Sequence, residues 1–256
     1  MPPVFPSRGR ADKIGNSAAR DGHFARQHLM QRKVTPELLD EDRGTPAEIT
    51  TGLADLELVN RCFGGTRTTA RLLQRVAAEC ACRELSLLEV AAGAGDLTIG
   101  AQRLLAGCGI PLNVVLLDRR ESHLQGASAT AVCADGLRLP FRDGAFDVVS
   151  CSLFAHHLEP DKLHDFVREG LRVCRRAVLI NDLIRSRIHL ALVYAGFPLF
   201  RSRLSRHDGP ASVRRAYTIG EMQQLMQAVP AARLQISRHY LYRMGVLLWK
   251  QGAIRR

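Results

Sequence analysis

LLEVAAGAGDLTIG, Leu87–Gly100, is the stretch on which the reading of the fold turns. It opens inside an apolar run, LSLLEVA at 85–91. It then passes through small residues, Gly93 and Gly95 into a segment that starts at Asp96 with helical apolar spacing. Glycine frees the backbone for a tight turn and removes the Cβ that would fill ligand space. Ala91 stands where a third glycine would complete the series.

The same rhythm continues downstream. Apolar runs recur as LNVVLLD (112–118), TAVCAD (130–135), FDVVSCS (146–152) and AVLIND (177–182). Amphipathic helices fit between them, one over 96–106 and one over about 160–174, where Leu163, Phe166, Val167, Gly170, Leu171 and Cys174 share a face. Continuous apolar strands alternating with helices predict an α/β fold, a doubly wound, mostly parallel, seven-stranded Rossmann-like sheet covered on both faces. Near the end, TIGE (Thr218–Glu221) starts a helix, and ARLQISRHYLY and GVLLWK are two strands with a short turn placed near Met244-Gly245. A parallel crossover needs about a dozen residues, so these two pair antiparallel.

Ahead of the sheet, TPE (35–37) and TPAE (45–48) read as helix starts. In the second, Thr45 caps, Pro46 takes the first turn and Glu48 completes a capping box. Leu53, Leu56, Val59 and Phe63 follow at helical spacing, Gly64-Gly65 breaks the helix, and Leu72, Leu73, Val76, Ala77 and Cys80 mark another. The organisation expected is a flexible basic arm (1–33), an N-terminal helical cap (34–84) and a main domain (85–256) with a helical lid insertion at 183–228.

Composition narrows the function classes. The 256 residues are 46% apolar, enough for a sizeable core. The longest apolar run, Ile188–Phe200, has 13 residues and contains Gly196 and Pro198, short of the roughly 18–20 a membrane span needs. The N-terminus lacks the apolar core of a secretory signal, and Asp12 and Asp21 argue against a transit peptide, so a cytoplasmic protein is expected. Seven scattered cysteines with no C-x-x-C pair suit free thiols in a reducing compartment. The net charge of +11 is concentrated at residues 1–34 and 201–215 without an interleaved aromatic platform, so no nucleic-acid partner is expected. Peripheral membrane contact is left open.

Ligands of a doubly wound sheet sit outside the carboxyl ends of the strands. Here those ends carry Glu89 through Gly95, Asp118, Asp135-Gly136, Ser152 and Asn181-Asp182. Asp118, 23 residues after Gly95, is placed to accept hydrogen bonds from a ribose. A dinucleotide is disfavoured. The third position of G-x-G-x-x-G is Thr98, and Asp96 would repel a pyrophosphate at the helix start. A nucleoside with net positive character meets neither objection.

LLEVAAGAGDLT, LLD and ADGLRLPFRDGAFDVVSCSLFAHHL together resemble the class I S-adenosylmethionine-dependent methyltransferases, closely over 85–182 and more loosely at the C-terminal hairpin. The resemblance implies S-adenosyl-L-methionine as cofactor, with Glu89, Ala91, Gly93 and Gly95 at its methionine end. Asp118 with Arg119 would hold the ribose, Asp135, Gly136 and Leu137 the adenine, and Ser152 the neighbouring wall. At Ala91 the family often has glycine. The His156-His157 pair reads in two ways, as one packed and one solvent-facing histidine, or as a general base or orienting group at the acceptor. Metal-binding variants of this loop carry glutamates before the histidine. Leu153 and His156 hold those positions here, so no metal is expected.

The acceptor pocket is expected from the first cap helix, which ends at Phe63, and from the lid. The lid is apolar with Tyr194 in its first half and Arg-rich in its second, with Arg215 and Tyr217 at the rim. An apolar cover beside cationic groups suits a lipophilic or aromatic small molecule. O-methylation of a phenol or enol is favoured over C-methylation, in secondary-metabolite or quinone-type biosynthesis. RNA methylation through the basic arm and a non-catalytic binding module are the alternatives.

Overall fold

The protein was analysed as a computed structural model that describes residues 30–41, 43–231 and 233–253. The chain divides into units 1–31 and 32–256, and every helix and strand described lies in the second. The predicted flexible arm falls outside the described residues except for its last four. Of these, Arg32 and Lys33 are bonded to the body, Lys33 through its backbone N to Arg214 O at 3.0 Å.

Helices α1 (Pro46–Cys62) and α2 (Gly65–Glu79) lead into the alternating part. There follow β1 (Leu85–Val90), α3 (Asp96–Ala106), β2 (Leu112–Asp118), β3 (Thr130–Cys133), β4 (Phe146–Ser152), α4 (Pro160–Val173) and β5 (Cys174–Leu183). Next come α5 (Arg187–Ala195), α6 (Arg203–Arg215) and α7 (Ile219–Gln227), then β6 (Arg233–His239) and β7 (Arg243–Trp249). The seven strands run in the order β3-β2-β1-β4-β5-β7-β6, parallel except for β7, which is antiparallel to both its neighbours.

The apolar continuity of the strands has a simple origin. In β1, Leu85 and Leu87 face α2 and α3, while Leu88 and Val90 face α4 and α7, and all four are fully buried. Both faces are covered, so alternation is lost. The two capping boxes form as their sequences require, Thr45 with Glu48 and Thr218 with Glu221. Gly64 takes φ +81° and separates α1 from α2. All seven cysteines are free. No helix among the described residues is long and apolar enough to cross a membrane.

Two local expectations are corrected. TPE at 35–37 starts no helix. The backbone N–H groups of Leu38 and Leu39 donate instead to the Asp208 carboxylate of α6 at 2.8 and 2.9 Å, and a turn follows. The hairpin turn also lies earlier than Met244-Gly245. It is Tyr240–Tyr242, where Leu241 and Tyr242 adopt φ +49° and +60° although neither is glycine. Gly245 is inside β7 for a packing reason, since a Cβ there would meet the His239 ring and Leu72 at 2.8 Å.

Candidate active site

Strand order reverses between β1 and β4, and the crevice of a doubly wound sheet opens at the carboxyl ends there. A cavity of about 450 Å³ fills it. All ten residues read from the sequence as cofactor-binding line this cavity: Glu89, Ala91, Gly93, Gly95, Asp118, Arg119, Asp135, Gly136, Leu137 and Ser152.

The glycine loop explains itself residue by residue. Ala91 has φ +56°, the left-handed region that glycine enters freely and that costs an L-residue roughly 1–2 kcal/mol. It follows β1 directly and is fixed by the bond from Ala92 N to Leu117 O at 3.0 Å. Ala91→Gly is therefore expected to stabilise the fold by about 1 kcal/mol, net of glycine's greater unfolded-state entropy. Thermal unfolding should show a midpoint about 2–4 °C higher, and an unchanged or lower one would contradict the strain.

Gly93 and Gly95 differ in what they permit. A Cβ on Gly93 would meet no protein atom within 4 Å, so that side of the loop is open to a ligand. A Cβ on Gly95 would come within 2.4 Å of Leu116 Cδ1, so this glycine lets α3 start against β2. Gly136 has the same kind of role, because its Cβ would stand 2.6 Å from Val90 Cγ1. Asp118 ties the parts together. Its Oδ2 accepts from Gly93 N and its Oδ1 from Arg120 N, both at 3.0 Å. Asp135 Oδ1 accepts from Leu137 N at 2.9 Å.

Glu89 is buried, and Ser150 Oγ donates to its Oε2. Burial pushes its carboxyl above the ordinary range, against hydrogen bonds from hydroxyls that pull it down. No basic side chain among the described residues balances it. Ser152 Oγ is buried on the same wall beside Glu89. A buried carboxyl group with no basic partner and an open cradle at Gly93 together fit a cationic ligand with polar groups.

The far end of the cavity is built differently. It is lined by Leu39, Leu53, Leu56 and Phe154, and by the polar groups Asp40, Glu57, Asn60, His157 and Arg215. His157 Nδ1 pairs with Asp40 Oδ2 at 2.7 Å, and Arg215 Nη2 donates to His157 O at 2.6 Å. His156 lies behind this wall, buried, and does not line the cavity. Its backbone N donates to Asp182 Oδ2 at 2.9 Å, and its Nδ1 lies 2.7 Å from Asp182 Oδ1. Burial alone would lower this imidazole's pKa, but the Asp182 and Glu37 carboxylates hold it up at about 10.

Of the four residues expected at the acceptor, only Arg215 lines the cavity. Tyr194 is half-exposed on α5, where Arg214 donates to its hydroxyl at 2.8 Å. The lid's aromatics turn to one another, Tyr194 to Phe197 at 5.1 Å between ring centroids. Tyr217 is buried, donating to Leu158 O at 2.7 Å beneath the Arg32 guanidinium. Phe63 caps α1 beyond the cavity. The residues missed were Leu53 and Leu56, whose spacing on α1 was visible, and Leu39 and Asp40, which no sequence pattern marked. Arg32 locks that segment in place, bonding Glu159 Oε2 at 2.9 Å, Arg215 O at 2.8 Å and His156 O at 3.2 Å.

Residues 88–180 match the methyltransferase domain family. Among solved structures, the chain is similar to a SAM-dependent methyltransferase from Aquifex aeolicus, at TM-score 0.50 and 17% identity, covering 69% of this chain and 88% of that one. It is also similar to the plantazolicin methyltransferase BpumL solved with SAH, at TM-score 0.62 and 13% identity, covering 84% and 95%. No curated protein matches the chain. The sheet order and the glycine loop are in keeping with the methyltransferase domain matched over 88–180 and with the fold of these structures.

Proposed function

We propose that this chain is a class I S-adenosyl-L-methionine-dependent methyltransferase that moves the methyl group to a hydroxyl oxygen of a lipophilic or aromatic small molecule. The observation that carries the reading is the cavity itself, whose strand-end lining suits the cofactor and whose remaining lining sets Leu39, Leu53, Leu56 and Phe154 beside the polar groups of Asp40, Glu57, Asn60, His157 and Arg215. When bound, S-adenosylmethionine supplies an electrophilic methyl on a sulfonium. Glu89 receives its ammonium group, the loop from Ala91 to Gly95 its methionine chain, Asp118 its ribose, and Asp135 to Leu137 its adenine. Transfer is an in-line displacement that depends chiefly on alignment. The cap (34–84), with Arg215 of the lid (183–228), supplies the walls that align the acceptor. A phenol or enol must also lose its proton, and His157, oriented by Asp40, marks the end where that happens.

His157→Ala is expected to lower kcat by about 10²–10⁴-fold with cofactor affinity unchanged. Isothermal titration and steady-state kinetics separate the two, and an unchanged kcat removes His157 from the chemistry. The reading as a whole is tested by a methyl-transfer screen with labelled cofactor against phenols, quinols, alkylpyrones and tRNA. Labelled phenolic or enolic ethers are expected. Label only on carbon, nitrogen or tRNA would overturn the assignment.

A further inference from the structure

We propose that Glu37, His156 and His157 form a binding site for one divalent first-row metal ion of the zinc class. Glu37 Oε1 lies 3.5 Å from His156 Nε2 and 3.8 Å from His157 Nε2, and the three atoms lie within 4.8 Å of one another. A tetrahedral ion with bonds of about 2.0–2.2 Å sets its ligand atoms about 3.3–3.6 Å apart. The sequence pointed away from a metal because the loop lacks glutamates, but the carboxylate comes from the segment ahead of α1.

Two of the three atoms, Glu37 Oε1 and His156 Nε2, are buried, face each other at 3.5 Å and have no closer polar partner. The other polar atoms of these side chains are engaged. Glu37 Oε2 accepts from Ser212 Oγ at 2.8 Å, His156 Nδ1 pairs with Asp182, and His157 Nδ1 pairs with Asp40. A carboxylate on the far nitrogen of each histidine is the outer shell that orients imidazoles toward a metal. Arg215 Nη1 approaches His157 at Nδ1, 3.3 Å away, and leaves Nε2 to the ion.

Charge points the same way. Glu37, Asp40, Glu159 and Asp182 outnumber the guanidinium groups of Arg32, Arg215 and Arg243 that face them, leaving net negative charge around two imidazoles. A divalent ion among them satisfies both Nε2 atoms and Glu37 Oε1 at once. Three protein ligands leave a further coordination position, as in sites where a metal binds a ligand or water, and His157, which with an ion bound is a ligand through Nε2 and not a base, puts it beside the acceptor end of the cavity.

The test is a cobalt(II) titration of the chelator-stripped full-length protein at pH 8, without cofactor or acceptor, so its outcome is separate from that of the methyl-transfer screen. The expected result is saturable binding of one equivalent, with visible ligand-field absorption and no thiolate charge-transfer band. Glu37→Gln, and Asp182→Asn through its hold on His156, should each weaken binding at least about 10-fold. Absence of saturable binding in the wild type, a thiolate band, or affinity retained in both variants would overturn the site. The wild-type titration stands even where a variant does not fold.

Discussion

Gly95→Asp is expected to abolish S-adenosylmethionine binding in a calorimetric titration and to lower the melting temperature. The new Cβ would sit 2.4 Å from Leu116 Cδ1 and 2.9 Å from Leu116 Cδ2. Leu116 is fully buried in β2 and has nowhere to go. The φ of +84° adds the strain of a left-handed L-residue, roughly 1–2 kcal/mol. The loop must therefore shift, and it takes Gly93 N away from Asp118. Gly95→Ala should lose most of the affinity as well, because the clash belongs to the Cβ and not to the charge. Gly93→Ala is the informative contrast. It meets no protein atom, so any loss of binding beyond its modest backbone strain reports how closely the cofactor passes. Near-normal affinity in Gly95→Asp would remove this loop from the binding site.

The strand ends were legible in the sequence because they are local. A strand that stops on Gly-x-Gly, and acidic residues that close the next two strands, are fixed by neighbours in the chain. The ten residues expected at the cofactor therefore line one cavity as a set. The acceptor end was not legible, because it is made by segments far apart in sequence. Asp40 reaches His157 only because Asp208, on α6, holds the backbone of Leu38 and Leu39 in place of a helix. The lid misled for a related reason. Its aromatic residues suggested a pocket wall, but Tyr194, Phe197 and Phe200 pack on each other. Ala91 is the intermediate case. Its place in the loop was readable, and only the backbone dihedral shows that it adopts the conformation of the glycine it replaces.

Glu89→Gln is expected to act in opposite directions on stability and on binding. Without cofactor, burial raises the Glu89 carboxyl pKa above its unfolded value, so the fold favours the protonated form. The stability this group contributes is then fully present below the unfolded pKa and is lost as pH rises through the folded one. At neutral pH the ionised side chain costs stability, and glutamine removes that cost while keeping an acceptor for Ser150 Oγ. The apo variant should melt higher than the wild type at pH 7, and the gap should close as pH falls into the carboxylate range.

Cofactor binding should go the other way. A cationic ligand requires the carboxylate, and removing one partner of a buried charged pair costs about 2–5 kcal/mol. That is a loss of roughly 30-fold or more in affinity. Wild-type affinity should climb with pH through the raised pKa of Glu89, whereas the variant should show a flat profile over the same interval. Differential scanning fluorimetry with and without S-adenosylmethionine reads both effects in one series. A variant that melts lower without cofactor, or keeps wild-type affinity, would separate Glu89 from the cofactor's charge and leave its burial without a function.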